Sequence, residues 1–414
     1  MRVAIIGGGA AGIFCAANIR APGAEAVVLE SGARPLRKVL ASGGGRCNIT
    51  NAESDISKFI SAYPRGGGRL RKPLLRFGPK DTLEWFVARG AAFETEGEGR
   101  VFPKSGGSAG IAAILERARR ESGAEMRLGF SASSISRLPG GGFEISSESG
   151  ESVRCDAALF ATGGSWHPGL RECLERMGHA FEEPAPSLFA FKIPGGGFSE
   201  LAGTPLRGVS VSCREFKISA TGDVLPTHEG LSGPGILRLS SLGARLFRDA
   251  GYRFRITLGL LGPGEFRDFC SSARAGAAKK LVKNFRPQGV PQKWWDLIVS
   301  RAGIDPAAEW AHFSRDGERR LAEEATAFGA SVCGRASGSG EFVTCGGVAL
   351  GGVDFKTMQS RHAPGIYFAG ECLDIDAFTG GYNLQAAWTT GMTAALAISK
   401  AAEGSGRATC ARPL

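Results

Sequence analysis

Long apolar runs are missing from this chain: nowhere do eighteen apolar residues follow one another, so no transmembrane helix is expected. Cys-x-x-Cys pairs are missing as well, and no cysteines and histidines stand at zinc-site spacing, so no structural metal is expected. The ten cysteines are dispersed, at 15, 47, 155, 173, 213, 270, 333, 345, 372 and 410, a pattern of reduced thiols rather than of a disulfide framework. No Gly-Lys-Ser/Thr closes any glycine cluster, which excludes a Walker A loop. Only five histidines occur, at 167, 179, 228, 312 and 362, and no Ser-His-Asp set or paired catalytic carboxylates can be picked out. Internal repeats and low-complexity tracts are absent. With a strand expected from Arg2, no secretory leader is expected, and the expected location is the cytoplasm.

Glycine is abundant instead. There are 62 in 414 residues, roughly twice the usual share of about 7%. They cluster at 7–9, 43–45, 66–68, 140–142, 195–197 and 380–381. Some clusters are loops; others mark backbone that a ligand approaches closely, because no Cβ intervenes. The length exceeds one ordinary core and predicts two or three domains of about 150 residues each. A net charge of +10 and a pI near 9.2 raise the question of nucleic acid. The basic residues are mostly scattered, however. The densest patch, Arg65, Arg69, Arg71, Lys72 and Arg76, has little aromatic interleaving and is read as a solvated face. No nucleic-acid partner is expected.

Val3-Ala4-Ile5-Ile6 is a short apolar run of the kind that forms a buried parallel strand. Gly7-Gly8-Gly9-Ala10-Ala11-Gly12 follows at once and fits G-x-G-x-x-G. Ala10 to Arg20 then reads as a helix stopped by Pro22-Gly23, and Ala26 to Leu29 as a strand ending in Glu30. Each residue has a physical task. Gly7 permits the tight turn, Gly9 admits a pyrophosphate to the backbone N–H groups, and Gly12 lets the helix pack on the sheet. The helix start adds partial positive charge. Glu30 can accept both hydroxyls of an adenosine ribose and would repel a 2′-phosphate. A dinucleotide site follows, but these residues do not separate NAD from FAD.

Remote segments bear on that choice. Ser42-Gly43-Gly44-Gly45-Arg46-Cys47-Asn48-Ile49-Thr50-Asn51, just beyond Lys38, resembles the SGGGRCNxTN signature of the BaiN-like, aminoacetone oxidase-like family of NAD(P)/FAD-dependent flavoprotein oxidoreductases. Further segments match that family in the same order: Gly99-Arg100-Val101-Phe102-Pro103, Ala161-Thr162-Gly163-Gly164, Thr227-His228-Glu229-Gly230-Leu231-Ser232-Gly233-Pro234 and Gly346-Gly347-Val348. The last runs from Gly365 through Phe368-Ala369-Gly370-Glu371 to Asp374-Ile375-Asp376 and Thr379-Gly380-Gly381-Tyr382-Asn383-Leu384-Gln385. The chain departs from the family in three places. Ser165 to Leu170 compresses a longer loop, Ala349-Leu350-Gly351-Gly352 lacks a common acidic residue, and Ala377 stands where glycine is frequent.

The resemblance implies FAD as cofactor, with NAD(P)H as a transient electron donor. It implies FAD contacts at Gly7, Gly9, Ala10, Ala11, Gly12, Glu30, Ser31 and Lys38. It adds Ser42 to Asn48, Ala132, Ala161 to Gly164, Gly370, Glu371 and Gly381 to Leu384. From the residues themselves, Phe368 to Glu371 is a buried strand ending in a turn whose acid suits a ribityl hydroxyl. The turn at Gly380 to Asn383 opens a helix from Leu384 to Ser399. Its N–H groups can stabilise negative charge on a reduced flavin.

The expected fold is α/β, a Rossmann-type FAD-binding domain of the glutathione reductase-like kind, interrupted by an insert. Residues 1–188 and 344–403 form the FAD domain, with helices at 81–89 and 110–121. Short alternating strands follow in 189–263, at 209–212, 215–219 and 253–258. Residues 264–329 read helical, at 279–285, 294–301 and 318–328. A strand at 330–335 opens the return segment 330–343. The resemblance makes this insert a small β-barrel with a helical cap. Trp294-Trp295 reads as core or a domain contact rather than a binding platform, and 404–414 as a disordered tail.

The leading function is hydride transfer between a small organic substrate and flavin N5, its direction open. The alternatives are an FAD-dependent RNA-modifying protein and a non-catalytic flavin-binding protein. His228, in a turn ahead of a helix expected at 236–247, is the candidate proton donor or acceptor. Arg100 is the candidate clamp for a carboxylate or a flavin carbonyl. The oligomeric state is not read from the sequence.

Overall fold

The computed structural model describes residues 1–195, 197–337 and 343–410, the last six by backbone alone. The chain divides into two compact units, residues 1–184 with 343–414 and residues 185–342, against expected switches at 188/189 and 343/344.

In the first unit β1 (Arg2–Ile6) lies inside a seven-stranded sheet. It pairs in parallel with Ala157–Phe160 on one side and with β2 (Glu25–Glu30) on the other. Ile366–Phe368 continues the parallel part beyond Ala157–Phe160, and Glu125–Leu128 beyond β2. Short antiparallel strands at Val353–Asp354 and Gln359–Ser360 close one edge. Val3 to Ile6 and Ala157 to Phe160 are buried without interruption. A central parallel strand is covered on both faces, which is why both read as continuous apolar runs. The helix α1 (Ala10–Ala16) is shorter than expected. Asn18 ends it: its side-chain amide donates to the Phe14 carbonyl while its Oδ1 accepts from Trp85 Nε1.

The expected helices at 81–89 and 110–121 run over Pro79–Val87 and Gly107–Glu121. The C-terminal helix spans Tyr382–Cys410. It therefore passes through Gly404, where a disordered tail was expected; residues 411–414 lie outside the described residues.

The second unit is built on antiparallel strands whose pairings close a ring. Leu206–Cys213 pairs with Ile218–Thr227, which pairs with Gly230–Ser232, which pairs with Phe191–Lys192. On its other side Leu206–Cys213 pairs with Phe254–Gly259. The segment 328–335 joins the two ends: Phe328–Val332 pairs with 254–258, and Gly334–Arg335 with Phe191–Lys192. Only Cys333 separates its two halves, so one stretch of chain serves both edges of the sheet.

Three local expectations are corrected. Residues 215–219 are not one strand, because the hairpin turn occupies 214–217 and the strand starts at Ile218. The helix at 236–247 breaks at Gly243 into Pro234–Leu242 and Ala244–Asp249. Residues 279–285 form no α-helix: Val282 N–H donates to Ala308 O, and Trp295 Nε1 takes the Val282 carbonyl, leaving one 3-10 turn. Helices do cover Pro263–Gly276, Gln292–Arg301 and Arg315–Thr326. Trp294 and Trp295 are fully buried in the core of this unit.

Candidate active site

The turn after β1 is shaped by overlap. A Cβ on Gly7, at φ +110°, would run into the Ala161 carbonyl oxygen, and one on Gly12 into the Gly7 carbonyl oxygen. At Gly9 the same addition meets nothing within 4 Å, so this position faces open space beside the backbone of α1's first turn. Glu30 reaches back across the turn. Its Oε2 accepts from Gly8 N–H at 2.7 Å and its Oε1 from Gly32 N–H at 2.8 Å. A carboxylate has about four lone-pair sites, so two remain for a diol.

The segments around 42–51 and 379–388 interlock. Ile49 O accepts from Trp388 Nε1 at 3.0 Å, Thr50 Oγ1 donates to Gln385 Oε1 at 2.6 Å, and Asn51 Nδ2 donates to Gly380 O at 3.1 Å. A Cβ on Gly381 would overlap the Thr50 carbonyl, so only glycine admits this approach. Asn383 bonds both backbone groups of Ala377, Oδ1 accepting from N–H and Nδ2 donating to O, each at 2.9 Å. Arg46 is ion-paired to Glu96 and lies 4.1 Å over the Phe102 ring. Cys47 adopts φ +61° and is fully buried; burial pushes its thiol up to about 11, so it is protonated at neutral pH.

A third group joins these two. Lys38 Nζ binds Glu371 Oε2 at 2.7 Å, and Thr344 N–H donates to Glu371 Oε1 at 2.8 Å. A Cβ on Gly163 would stand 3.8 Å from Glu371 Oε2 and 3.9 Å from Lys38 Nζ. Gly370 lies against Ala11, where a Cβ would come within 2.9 Å of the alanine methyl. Ala132 opens a strand two residues past Phe130, whose N–H donates to Glu30 O. Ser31 is exposed at the end of β2. The first unit thus brings together residues that stand hundreds of positions apart.

Arg100 and His228 belong to different units. Arg100 is exposed, its Nε donating to Gly97 O at 2.9 Å. His228 is exposed in the turn between two paired strands; the neighbouring Glu229 carboxylate is held by Ser337 N–H and Oγ. Elsewhere, His179 is buried, bonded to Ser360 Oγ at 2.8 Å, and burial lowers its pKa to about 4.

Sequence reasoning missed two features. Arg65 is not part of a solvated face: its side chain forms a two-pronged ion pair with the fully buried Asp376. Asp374 accepts from Gly346 N–H at 3.0 Å. The Asp374-Ile375-Asp376 triplet was visible as a motif, but nothing in the chain marked Arg65 off from Arg69 or Arg71. Among the described residues no group of three or more His, Cys, Asp or Glu could hold a metal ion. None of the nine cysteines whose side chains are described forms a disulfide.

The family described as HI0933-like protein Rossmann domain matches residues 1–397. The chain belongs to the HI0933-like Rossmann family. Among its relatives, a 3-dehydro-bile acid delta(4,6)-reductase of Clostridium scindens is 29% identical over 423 residues, covering 96% of this chain and 99% of that protein. A ribosomal RNA dihydrouridine synthase of Haemophilus influenzae is 28% identical over 416 residues, covering 96% and 98%. The crystal structure of 3-ketosteroid delta1-dehydrogenase from Sterolibacterium denitrificans superposes with a TM-score of 0.54 at 13% identity, covering 96% of this chain and 99% of that one. At that identity the likeness is one of fold: a Rossmann-type FAD-binding fold, mixed α and β. No helix among the described residues is long and apolar enough to cross a membrane.

Proposed function

We propose that this chain is an FAD-dependent oxidoreductase that passes a hydride between flavin N5 and a carbon–carbon double bond conjugated to a carbonyl in a small organic substrate. The observation that carries the reading is the convergence, in one unit, of the turn at 7–12, Glu30, Lys38, the 42–51 segment, the 161–164 turn, Glu371 and the 380–384 turn. The donor set suits FAD. Gly9 leaves room for a pyrophosphate, Glu30 retains acceptor capacity for a ribose diol, and the second dinucleotide half has its own segments. Bound FAD supplies the two-electron chemistry.

The chain's own residues bind and orient. Glu30, pinned by two N–H donors, holds its carboxylate in one pose and disfavours a 2′-phosphate there. Lys38 neutralises Glu371, leaving that carboxylate as an acceptor for a ribityl hydroxyl. The amides at the start of the C-terminal helix favour negative charge on the pyrimidine ring. Adding hydride to the β-carbon of an enone requires a proton at the α-carbon. His228 is assigned as that acid and Arg100 as the clamp on the carbonyl or a carboxylate.

Conjugated alkenes are favoured as the substrate class because both relatives' names describe reduction of such a bond, in a 3-oxo steroid acid and in uridine. A second reading takes the uracil ring of an RNA as the alkene. In its favour, residues 267–293 carry seven Lys or Arg against one Asp. Lys280 lies 5.5 Å from the Phe285 ring, which stacks on Phe269 at 5.8 Å, the pairing of cations with aromatics that single-stranded RNA uses.

Anaerobic titration tests both. NADH and NADPH are offered singly while the flavin absorbance band is followed, and reduced protein is then mixed with a cyclic enone or with uridine-containing RNA. Reoxidation by the enone supports the first reading, and reoxidation by RNA alone transfers support to the second. Protein that cannot be loaded with FAD defeats both. Replacing His228 or Arg100 by Ala should slow hydride transfer at saturating substrate by roughly a hundredfold. An unchanged rate with a shifted melting temperature assigns the residue to structure.

A further inference from the structure

Gln385 is buried one turn into the C-terminal helix, and its side-chain amide serves three partners. Its Oε1 accepts from Thr50 Oγ1 at 2.6 Å, and its Nε2 donates to Thr82 Oγ1 at 2.9 Å and Thr389 Oγ1 at 3.0 Å. Thr389 Oγ1 in turn donates to Phe77 O at 2.8 Å. Thr50, Thr82, Gln385 and Thr389 are all fully buried. Hydrogen bonds that water cannot replace tie two other segments to this one side chain directly, and a third, at Phe77, through Thr389.

The network has a direction. Residues 49, 50 and 51 are joined to 388, 385 and 380 respectively, one rung each, in antiparallel order. The two outer rungs use backbone carbonyls as acceptors. Only the middle rung is side chain to side chain, and it is the one that runs on to Thr82 and Thr389. An amide alone supplies an acceptor toward Thr50 and donors toward two threonines; a carboxylate lacks the donors and an alkyl group lacks both.

We propose that Gln385, acting through Thr50, is a positioning residue for the flavin. It sets the register of the 42–51 segment, expected to touch FAD, on the first two turns of the C-terminal helix, whose amides are assigned to the flavin's pyrimidine ring. The inference rests on the flavin reading above. It differs from that reading in naming a residue outside every expected contact.

Thr50→Val tests it, because valine keeps the shape and removes one hydroxyl, while Gln385 keeps its two donor contacts. Thr50→Ser is the conservative control. The readouts are the FAD dissociation constant and the flavin midpoint potential. We expect Thr50→Val to raise the dissociation constant of oxidised FAD about tenfold. Loosened helix-start amides should favour the reduced, more negative flavin about tenfold less again, a fall of about 30 mV for a two-electron couple. Thr50→Ser should return both values toward wild type. A Thr50→Val protein with lowered melting temperature but unchanged affinity and potential overturns the role and leaves the flavin reading intact. Wild-type protein that binds no FAD overturns the flavin reading, and the role with it. Should Thr50→Val not fold, Thr389→Val removes a contact on the far side of Gln385. The same two readouts apply, and an unchanged potential again overturns the proposal.

Discussion

Two glycine runs in the first unit, 7–9 with Gly12 and 43–45, look alike in sequence and obey different physics. In the first, added Cβ atoms would run into backbone carbonyls at Gly12 and at Gly7, which also has φ +110°, while Gly9 at φ −84° is left open. In the second, Gly44 and Gly45 meet nothing within 4 Å; left-handed φ values of +65° and +89° are what demand glycine. A packed run reports what the protein does to itself. An open position within it reports room for something else.

Breaking that contrast produces effects of different kinds. The largest is expected from Gly12→Ala, which sets a methyl against an immovable carbonyl between α1 and β1. It should destabilise the protein by at least about 3 kcal/mol, read as a lost or shifted denaturant midpoint. Wild-type stability would show that the turn can relax, and the steric account would fall. Gly9→Val comes next. Its backbone is ordinary and its surroundings empty, so the stability of the FAD-free protein should stay within about 0.5 kcal/mol of FAD-free wild type while the purified protein loses FAD; a yellow Gly9→Val protein would mean the pyrophosphate lies elsewhere. Glu30→Ala should weaken FAD binding by about 1–3 kcal/mol, measured by titration of apoprotein, and leaves the Gly8 and Gly32 N–H groups to water. The smallest effect belongs to the second run. Gly44→Ala should cost about 1–2 kcal/mol for a left-handed alanine, and Gly44→Asn less, both visible in denaturant melts without FAD. If Gly44→Ala were as damaging as Gly12→Ala, space rather than dihedral angle would govern both runs.

Legibility followed the range of the interactions. The unit from β1 to Glu30 was readable because strand period, turn glycine and terminal acid are local signals. So was the burial of Trp294 and Trp295. The stretch 279–285 misled because its composition permits a helix, yet Ala308 and Trp295 claim its backbone groups first. Residues 236–247 misled because a single Gly243 turns one amphipathic pattern into two helices. The ring of strands in the second unit was implied by resemblance alone; no local signal announces that 328–335 pairs with two different strands either side of Cys333.

By itself the sequence determined where chain direction changes, which faces are apolar, and which glycines cannot carry a side chain in a tight turn, since these follow from neighbours a few residues away. Tertiary structure alone decided that half-buried Arg65 pairs with the buried Asp376, that Lys38 meets Glu371, and that Thr50 meets Gln385. Each pairing spans more than 300 residues of chain. A polar side chain gives no local sign of whether water or a distant partner will satisfy it. That choice is made by burial, and burial exists only once the sheet and its helices have closed.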